Sequence, residues 1–363
     1  MSSQKHLIHI FPTFAVGGSQ IRFGQLVRLH GARYRHTVIA LDGDYGMAPR
    51  LKGQEVALQA ITFNKKNTFE SWRTFHNVLR TVRPDTLVTY NWGSIDWAIV
   101  NKFSRSIPHV HIEDGFGPEE ATRQLQRRVW TRRLALSGRE TSVILPSHIL
   151  EQIAEAEWKV PRPRLHYIPN GIDCARFAAP GRNWNDTDNG IVIGTVATLR
   201  REKNIARLIR VFAAIASSRK AGVVQLLIVG DGPERQSLEQ LAASLPVSGQ
   251  ITFAGPSACP EEWLRKMDIF ALSSDTEQMP LSVLEAMAAG LPVVATKVGD
   301  VAKMVSAPNA DLVVPSDEKL GLALESLMDD SARRLAIGRE NAKQARDLFD
   351  ETVMATRYAK IIG

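Results

Sequence analysis

The stretch Ser273–Asp300, SSDTEQMPLSVLEAMAAGLPVVATKVGD, indicates how the second half of this 363-residue chain folds. The apolar run Ile269–Leu272 just before it predicts a strand, and a polar loop follows. Pro280 predicts the start of a helix, and Gly290 with Pro292 predicts its end. The segment therefore predicts a strand, a loop, a short helix and a second strand.

The loop and helix of this segment suit an anionic ligand. A helix N-terminus presents free N–H groups and the positive end of the helix dipole, which favour a diphosphate. Glu277 lies in the loop and Glu285 about one turn into the helix, so they can contact different parts of one ligand. Each carboxylate has two acceptor oxygens for adjacent sugar or ribose hydroxyls. The alternative for both glutamates is an ordinary solvated surface position.

Apolar runs of strand length alternate with helix-period segments along the whole chain. In the first half the predicted strands are Leu7–Phe11, His36–Leu41, Thr86–Tyr90, His109–Ile112 and Ser142–Leu145. In the second half they are Ile191–Val196, Val223–Val229, Ile251–Phe253, Ile269–Leu272, Pro292–Ala295 and Leu312–Val314. Near-continuous Val, Ile and Leu runs are typical of parallel strands covered on both faces. The pattern predicts an α/β protein of two doubly wound, Rossmann-like domains facing across a cleft that binds ligands.

The predicted organisation has three parts. Residues 1–170 form an N-terminal Rossmann-like domain, and residues 171–345 form a C-terminal Rossmann-like domain. Residues 346–363 form a C-terminal helix that packs back towards the first domain. The joint is expected near Pro169–Gly171 and in the polar stretch Ala178–Asn189, which breaks the alternation of strands and helices.

Composition narrows the class of protein. Apolar residues make up 44% of the chain and charged residues 23%, which is ordinary for a globular protein. Cys174 and Cys259 lie far apart and predict reduced thiols in a cytosolic protein. No apolar run approaches the roughly 18 residues that span a membrane, and the polar N-terminus lacks the features of a signal peptide. The expected location is the cytoplasm, with peripheral association at the inner face of the membrane as an extension.

Positive charge is concentrated in the first half of the chain. Residues 1–170 contain 23 Lys and Arg against 14 Asp and Glu, whereas residues 171–363 contain 22 against 24. The basic half predicts an anionic partner, either a phosphorylated or lipid-linked acceptor or a membrane surface. Nucleic acid is disfavoured, because no nucleic-acid-binding motif is present. Arg123, Arg127, Trp130 and Leu134 share one helical face that suits a membrane or a lipid-linked acceptor. The alternative is a merely solvated face.

The motifs together resemble those of the family-four glycosyltransferases of the GT-B fold. Glu277, seven further residues and Glu285 match the donor-binding motif of that family. The other matching segments are Ala286–Ala288, Gly290–Val294, Ile168–Asp173 (IPNGID), Gly230–Glu234 (GDGPE), Phe253–Gly255 and Gly299. The resemblance extends over nearly the whole chain.

The resemblance implies a retaining hexosyltransferase that uses a nucleotide-diphosphate sugar, with UDP or GDP as the nucleotide, and no bound metal or other cofactor. It implies that the domain of residues 1–170 binds the acceptor and that the domain of residues 171–345 binds the nucleotide sugar. There, Glu277 would contact the donor sugar and Glu285 the ribose. The segment Gln278, Met279, Pro280, Leu281 would supply backbone donors to the sugar and phosphate. The family commonly has Gly where Gln278 stands, which leaves the donor sugar open. The implied acceptor is a glycan or a lipid-linked molecule in cell-surface polysaccharide or glycolipid synthesis.

The segment Thr195–Asn204, TVATLRREKN, is the expected phosphate clamp. Cleavage of a sugar–diphosphate bond leaves negative charge that fixed cations must stabilise. The family pattern has Arg, then Leu, then Lys; Leu199 and Lys203 fit it, but Thr198 stands in the Arg position. We expect Arg200 to replace that cation; the alternatives are that Arg201 replaces it or that the clamp is weaker.

Two further sites are expected in the first half of the chain. Gly17 and Gly18 resemble the family's glycine-rich loop, which faces the donor phosphate and the acceptor; a plain tight turn is the alternative. Asp114 takes the family position near the reacting carbon, and Glu113 beside it is a further candidate for acceptor binding. Asp114 would orient the acceptor hydroxyl or take its proton. In the front-face mechanism that the family favours, the leaving phosphate itself accepts the proton. The predicted catalytic residues are therefore Asp114, Glu277, Lys203 and Arg200.

Other functions fit the sequence less well. The GDGPER stretch at Gly230–Arg235 lacks the third glycine and the later acidic residue of a dinucleotide site. A glycosidase needs two facing carboxylates, whereas Glu277 and Glu285 lie on one element. A sugar-nucleotide epimerase of the same fold and a non-catalytic sugar-nucleotide-binding protein stay open. Thr198 and Gln278 are the two departures from the family pattern that are compatible with the non-catalytic alternative.

Overall fold

The chain divides into two compact units. The computed structural model describes residues 4–63, 67–105, 107–116, 118–120, 123–179, 190–219 and 223–363. Unit 1 comprises Met1–Asn170 and Met354–Gly363, and unit 2 comprises Gly171–Val353. Residues 180–189, most of the predicted linker Ala178–Asn189, lie outside the described part.

Unit 1 is built on a parallel sheet. Its described strands are β1 (Lys5–Phe11), β2 (Tyr34–Ala40), β3 (Val56–Leu58), β4 (Thr86–Tyr90), β5 (His109–Ile112), β6 (Thr141–Leu145) and β7 (Leu165–Tyr167). They lie in the order β3-β2-β1-β4-β5-β6-β7. Strand β4 is buried along its whole length, because apolar clusters pack on both faces of the sheet. The strand order reverses between β1 and β4, and the carboxyl end of such a switch point is where ligands of these sheets bind.

Helices follow the strands of unit 1. They are α1 (Gly18–His30), α2 (Thr68–Val82), α3 (Ile95–Val100), α4 (Gln126–Leu136) and α5 (His148–Ala156), with a π-helical segment at Asn101–Arg105. Local sequence sets several starts. The side chain of Asn67 accepts the backbone N–H of Glu70 at the start of α2, and Ser147 accepts that of Leu150 at the start of α5.

Unit 2 repeats this architecture. Its described strands are β8 (Ile191–Val196), β9 (Val224–Val229), β10 (Ile251–Gly255), β11 (Ile269–Leu272), β12 (Val293–Thr296) and β13 (Val313–Val314), in the order β10-β9-β8-β11-β12-β13. Its helices are α6 (Cys174–Phe177), α7 (Ile205–Ser217), α8 (Arg235–Ala243), α9 (Pro260–Leu264), α10 (Leu281–Ala288), α11 (Val301–Met304), α12 (Asp317–Met328) and α13 (Ser331–Phe349). All paired strands are parallel, and the switch point lies between β8 and β11. The prediction of two doubly wound α/β domains is therefore confirmed.

The chain ends in a helix that follows a short break. Helix α13 ends at Phe349, and α14 (Glu351–Ile362) begins after the extended residue Asp350. The carboxylate of Asp350 accepts the N–H of Thr352, which satisfies an otherwise free donor at the start of α14. Ile172 hydrogen-bonds to the backbone of Phe349 and Glu351 on either side of the break. The predicted boundary at residue 345 therefore falls inside α13, and residues from Met354 onward belong to unit 1.

Candidate functional site

The site begins at the switch point of the unit 2 sheet. Strands β8 and β11 are paired there, and each is followed at its carboxyl end by a polar loop. The loop after β8 spans residues 197–204 and the loop after β11 spans residues 273–280. The two loops are joined by a hydrogen bond from the Asp275 N–H to the Glu202 carbonyl and by one from the Ser273 hydroxyl to the Lys203 carbonyl. The residues of both predicted motifs are thus brought together.

A glycine loop holds the 197–204 segment in place. Gly230 has φ of +138°, and a Cβ on it would collide with the Ala197 carbonyl. The Leu199 N–H donates to the Asp231 carbonyl at 2.9 Å, and the Glu234 N–H donates to the Leu199 carbonyl at 3.0 Å. The GDGPE loop therefore fixes the backbone of the segment that is the expected phosphate clamp.

Lys203 and Glu277 form an ion pair between the two loops. The Lys203 Nζ lies 2.6 Å from Glu277 Oε1, which also accepts the Ser274 hydroxyl at 2.7 Å. The Lys203 side chain is 25% exposed and that of Glu277 is 9% exposed, so the pair lies at the surface of the unit. Both donors reach the same carboxylate oxygen, Oε1, which leaves Oε2 for a further hydrogen bond.

The loop continues into α10 as the sequence predicts. Pro280 precedes the first helical residue, Leu281. The Met279 side chain is buried in the apolar core, so only its backbone can face a ligand. The Gln278 carbonyl accepts the Asp300 N–H at 3.0 Å. Gly299, with φ of +52°, lies directly behind the loop, and a Cβ there would clash with the carbonyls of residues 277 and 278.

Glu285 lies in α10 beside a charged pair from two other helices. Burial raises the pKa of Glu285 to about 7, while Arg176 on α6 lowers it and Glu261 on α9 raises it. Within the described chain, no hydrogen bond or ion pair to the Glu285 carboxylate is found. Sequence reasoning missed Arg176, whose partner Glu261 lies 85 residues further along the chain.

Arg200 is placed differently from its predicted neighbours. Arg200 and Arg201 are both exposed and line a pocket of about 290 Å³ with Asn204, Glu234 and Asp275. The lining of this pocket includes neither Lys203 nor Glu277. The prediction that Arg200 replaces the missing cation beside the Glu277 loop therefore stays a prediction.

Asp114 follows β5 in unit 1 and is held by an arginine that the sequence did not reveal. The Arg22 guanidinium of α1 donates to both Asp114 oxygens, at 2.6 and 2.8 Å, and to the Asn170 side-chain oxygen at 2.8 Å. Burial would lower the pKa of Arg22, but the Asp114 carboxylate outweighs that effect and raises it. The Asp114 side chain is 24% exposed, so it can still accept a hydrogen bond from solvent or a ligand.

Glu113 is held inside unit 1 rather than at its surface. Its side chain is fully buried, and its Oε2 lies 3.3 Å from Nε of the equally buried Arg132 and 3.4 Å from His111. A second carboxylate, Glu120, also pairs with Arg132. In this structure Glu113 presents no exposed surface to an acceptor, and its assignment to acceptor binding stays a prediction.

The remaining unit 1 predictions concern the surface. Arg123, Arg127 and Trp130 are exposed, and the Arg133 guanidinium stacks 4.6 Å from the Trp130 ring centre. Gly17 has an extended φ of −162° that any residue can adopt, and Gly18 is the first residue of α1. Their close approach to a ligand stays a prediction.

The described part of the chain was compared with the requirements of a membrane-spanning helix and of a metal site. Across the described ranges, no helix combines the length and the apolar character needed to cross a bilayer. Across the same ranges, no group of three or more His, Cys, Asp or Glu side chains is arranged to hold a metal ion. Cys174 and Cys259 are free thiols.

Two Rossmann-like units, the second with charged side chains gathered at its switch point, define a two-domain α/β protein of the GT-B class. Residues 17–171 match the model of the glycosyl transferase 4-like domain, and residues 182–344 match that of the glycosyl transferases group 1. The two halves of the chain therefore match two glycosyltransferase domain families, the N-terminal half the 4-like domain and the C-terminal half group 1. Both matches support the predicted enzyme class, glycosyltransferase.

Individual relatives support the same assignment. The chain is 32% identical over 194 residues to a GDP-mannose-dependent alpha-mannosyltransferase of Mycobacterium tuberculosis, covering 49% of this chain and 48% of that protein. It is 27% identical over 218 residues to the lipopolysaccharide core biosynthesis glycosyltransferase LpsE of Rhizobium meliloti, covering 59% and 62%. The chain spans about half the length of the curated relatives it matches.

The fold is also similar to that of a solved structure. The Anabaena protein Alr3699/HepE, in complex with UDP and glucose, has a TM-score of 0.80 and 18% identity, over 98% of both chains. At this identity the likeness concerns the fold.

Proposed function

We propose that the protein is a retaining glycosyltransferase that transfers a hexose from a UDP or GDP donor. The observation that carries this proposal is the Lys203–Glu277 ion pair at the switch point of the unit 2 sheet, with Glu285 on the helix that follows. The relatives named above include a GDP-mannose-dependent enzyme and a protein solved with UDP and glucose. Both nucleotides therefore belong in the test.

In this proposal each donor-site residue has a distinct role. The free Oε2 of Glu277 accepts a hydroxyl of the donor sugar, and Glu285 accepts the ribose hydroxyls. Lys203 stabilises the charge that develops on the leaving phosphate, aided by backbone N–H groups of residues 278–281 and by Arg200. We expect turnover without a bound metal, so chelation with EDTA should leave the rate unchanged.

Asp114 has the role of orienting the acceptor. A carboxylate held by both nitrogens of an arginine fork has a fixed orientation and can accept a further hydrogen bond from the acceptor hydroxyl. Such a group suits a front-face reaction in which the leaving phosphate takes the proton from the acceptor hydroxyl.

The acceptor in this proposal is a glycan or lipid-linked molecule of cell-surface polysaccharide or glycolipid synthesis, reached at an anionic membrane surface. Trp130 and Leu134 on α4 are 64% and 46% exposed, and Phe103 on the neighbouring π-helical segment is 67% exposed. Lys102 donates to the Leu134 carbonyl, which ties the two segments together. Aromatic and basic side chains on one face suit an anionic lipid interface.

The membrane proposal is tested by sedimentation with vesicles of anionic or zwitterionic lipid. We expect binding to anionic vesicles that falls with salt and is weakened in Trp130→Ala. Leu322, which is 59% exposed on α12 of unit 2, provides the matched control, since Leu322→Ala should bind like the wild type. Equal binding by Trp130→Ala and the wild type would contradict the assignment of this face.

The donor proposal is tested by thermal shift against UDP, GDP, ADP and their sugar conjugates, followed by product analysis. Selective binding stabilises the native state by mass action. A stabilising nucleotide sugar should then be turned over, with retention at the anomeric carbon in the product. Binding without hydrolysis or transfer would favour the non-catalytic alternative suggested by Thr198 and Gln278. Conversion of the bound sugar to its epimer would favour the epimerase.

A further inference from the structure

Asn91 has a strained backbone at the carboxyl end of β4. Its φ of +56° and ψ of 178° fall in a region that is open to glycine but nearly closed to residues with a side chain. Arg83 and Asn204 also have a positive φ, but their ψ values of 56° and 49° belong to the ordinary left-handed region. Strain of this kind persists only where neighbouring contacts enforce it, so the contacts of Asn91 are informative.

The Asn91 side chain replaces a backbone hydrogen bond between β4 and β5. The Asn91 N–H donates to the Ile112 carbonyl at 2.8 Å, as in a regular parallel ladder. The next bond of that ladder would run from the Asp114 N–H to the Asn91 carbonyl. That carbonyl is turned away, and it accepts the N–H of Ser94 at 3.3 Å and the Ser94 hydroxyl at 3.1 Å. Oδ1 of the same asparagine therefore accepts the Asp114 N–H in its place, at 2.8 Å.

The turn after β4 is fixed against the loop after β1. A Cβ on Gly93 would lie only 2.7 Å from the Cβ of Pro12, so the turn packs closely on that proline. The Ser94 hydroxyl also donates to the Tyr90 carbonyl at 2.8 Å. Strands β1 and β4 flank the switch point of the unit 1 sheet, where ligands of such sheets bind. The strained turn is thus held in place beside the expected acceptor position.

Asp114 is held through both its side chain and its main chain. Arg22 donates to the two carboxylate oxygens, and Asn91 accepts the peptide N–H. The arginine fixes the carboxylate relative to α1, whereas the asparagine fixes the backbone from which that carboxylate extends. A glycine at position 91 would leave the Asp114 N–H without this acceptor. A misplaced carboxylate would orient an acceptor hydroxyl less well, because transfer depends on close alignment of the reacting groups.

We propose that Asn91 is a positioning residue of the acceptor site, which keeps its strained conformation so that its Oδ1 holds the Asp114 backbone and aims the carboxylate at the acceptor hydroxyl. Glycine would suit the turn better but could not hold Asp114. The inference rests on the proposed function, because it takes Asp114 as the group that orients the acceptor.

The test measures turnover and stability in two variants of the full chain. Asn91→Gly and Asn91→Ala both lose the Oδ1 acceptor, but only the alanine variant keeps the strain. Turnover is the release of UDP from UDP-glucose or of GDP from GDP-mannose, with water as the smallest acceptor that meets the same carboxylate.

Both variants should lose turnover, but only one should lose stability. We expect kcat to fall by about tenfold in each, with the KM for the donor unchanged, since the proposed donor residues lie in unit 2. The melting temperature should fall in Asn91→Ala but not in Asn91→Gly, where relief of strain offsets the lost hydrogen bond. A merely structural role would make turnover follow stability.

Two further variants serve as control and reference. Arg83 is an exposed residue of unit 1 that also has a positive φ, at the end of α2, so Arg83→Gly should leave kcat unchanged. Asp114→Ala removes the carboxylate itself. Combining it with Asn91→Gly should lower kcat no further than Asp114→Ala alone, because both changes act through one carboxylate.

The outcomes separate the two proposals. A wild type that releases neither UDP nor GDP overturns the proposed function and this inference with it. A wild type that turns over, together with an Asn91→Gly variant of unchanged kcat, overturns this inference alone. So does a further loss of kcat in the double variant, which would show that Asn91 does not act through Asp114.

Discussion

The two units share one architecture but use the charges near their switch points differently. In unit 2, Lys203 and Glu277 pair at the surface, where a ligand can reach them. In unit 1, Arg132 is fully buried between Glu113 and Glu120. A charged residue at a strand end is therefore not by itself a ligand contact. Its exposure and its existing partners decide whether it is available.

The units also differ in the pKa shifts of their buried ionisable side chains. All nine histidines of the chain lie in residues 1–170. Burial lowers the pKa of His36 to about 4 and that of His109 to about 3, and it lowers the pKa of His9 as well. Unit 1 therefore has buried groups that resist protonation, whereas the large pKa shift near the unit 2 site is the upward shift of Glu285.

The largest expected loss of stability comes from replacing Arg132, the buried arginine of unit 1. Arg132→Met removes the arginine partner of the buried Glu113, while Glu120 keeps its ion pair with Arg128, and should cost about 3–5 kcal/mol of unfolding free energy. Arg219→Met in unit 2 removes a partner of Asp329, which is 66% exposed, and should cost no more than about 1 kcal/mol. Hydrogen exchange of the core amides in urea measures each unit separately. Equal costs would contradict the contrast between the units.

The next largest effect concerns the turnover of a nucleotide sugar at the unit 2 site. Lys203→Ala removes the cation paired with Glu277 and should lower turnover of the bound nucleotide sugar by about 100-fold, the effect of removing one charge-stabilising donor. Arg210→Ala, at an exposed position of α7, is the control and should leave turnover unchanged. Unchanged turnover in Lys203→Ala would sink the assignment of the clamp, provided that the variant remains folded.

The sequence predicts the fold well because its signal is local. Strand β4 and strand β8 have the predicted bounds, since their apolar runs are long and end abruptly. Strands β3 and β7 were not predicted. Each is three residues long and lies at a sheet edge with a single neighbour, so it has no periodic pattern to detect.

The site is less predictable because its contacts join distant parts of the chain. Arg22 meets Asp114 across 92 positions, and nothing in the α1 sequence marks it. Arg132 is different, because it lies three residues after Val129 and four before Leu136, on the apolar face of α4. Helical spacing therefore contained a signal that this arginine is buried.

As the pH falls, unit 1 should lose stability at a higher pH than unit 2. A buried histidine with a lowered pKa stays neutral in the native state, whereas the unfolded chain takes up a proton below about pH 6.5. The stability from these groups is therefore fully present above pH 6.5 and is lost as the pH falls towards 4, by about 3 kcal/mol for a group such as His36.

Hydrogen exchange at pH 7.5 and pH 5, corrected for intrinsic rates, measures this difference. We expect protection to fall in the strands of unit 1 and to hold in those of unit 2. A parallel loss in both units would show that the buried histidines do not govern the response. Because protonation of Glu285 relieves an unfavourable buried charge, acid should not destabilise unit 2 through that residue.

The smallest expected effect compares one capping residue in each unit. Ser147 accepts the Leu150 N–H at 3.1 Å in a buried position, and Ser316 accepts the Lys319 N–H at 3.3 Å in an exposed one. Ser147→Ala leaves a buried donor without a partner and should cost about 1–2 kcal/mol, whereas water can replace the Ser316 hydroxyl, so that Ser316→Ala costs about 0.5 kcal/mol. Exchange rates of the amides in the first turn of α5 and α12 measure both costs. Equal rate increases would mean that burial of the cap does not set its contribution, which would weaken the wider contrast between the two units.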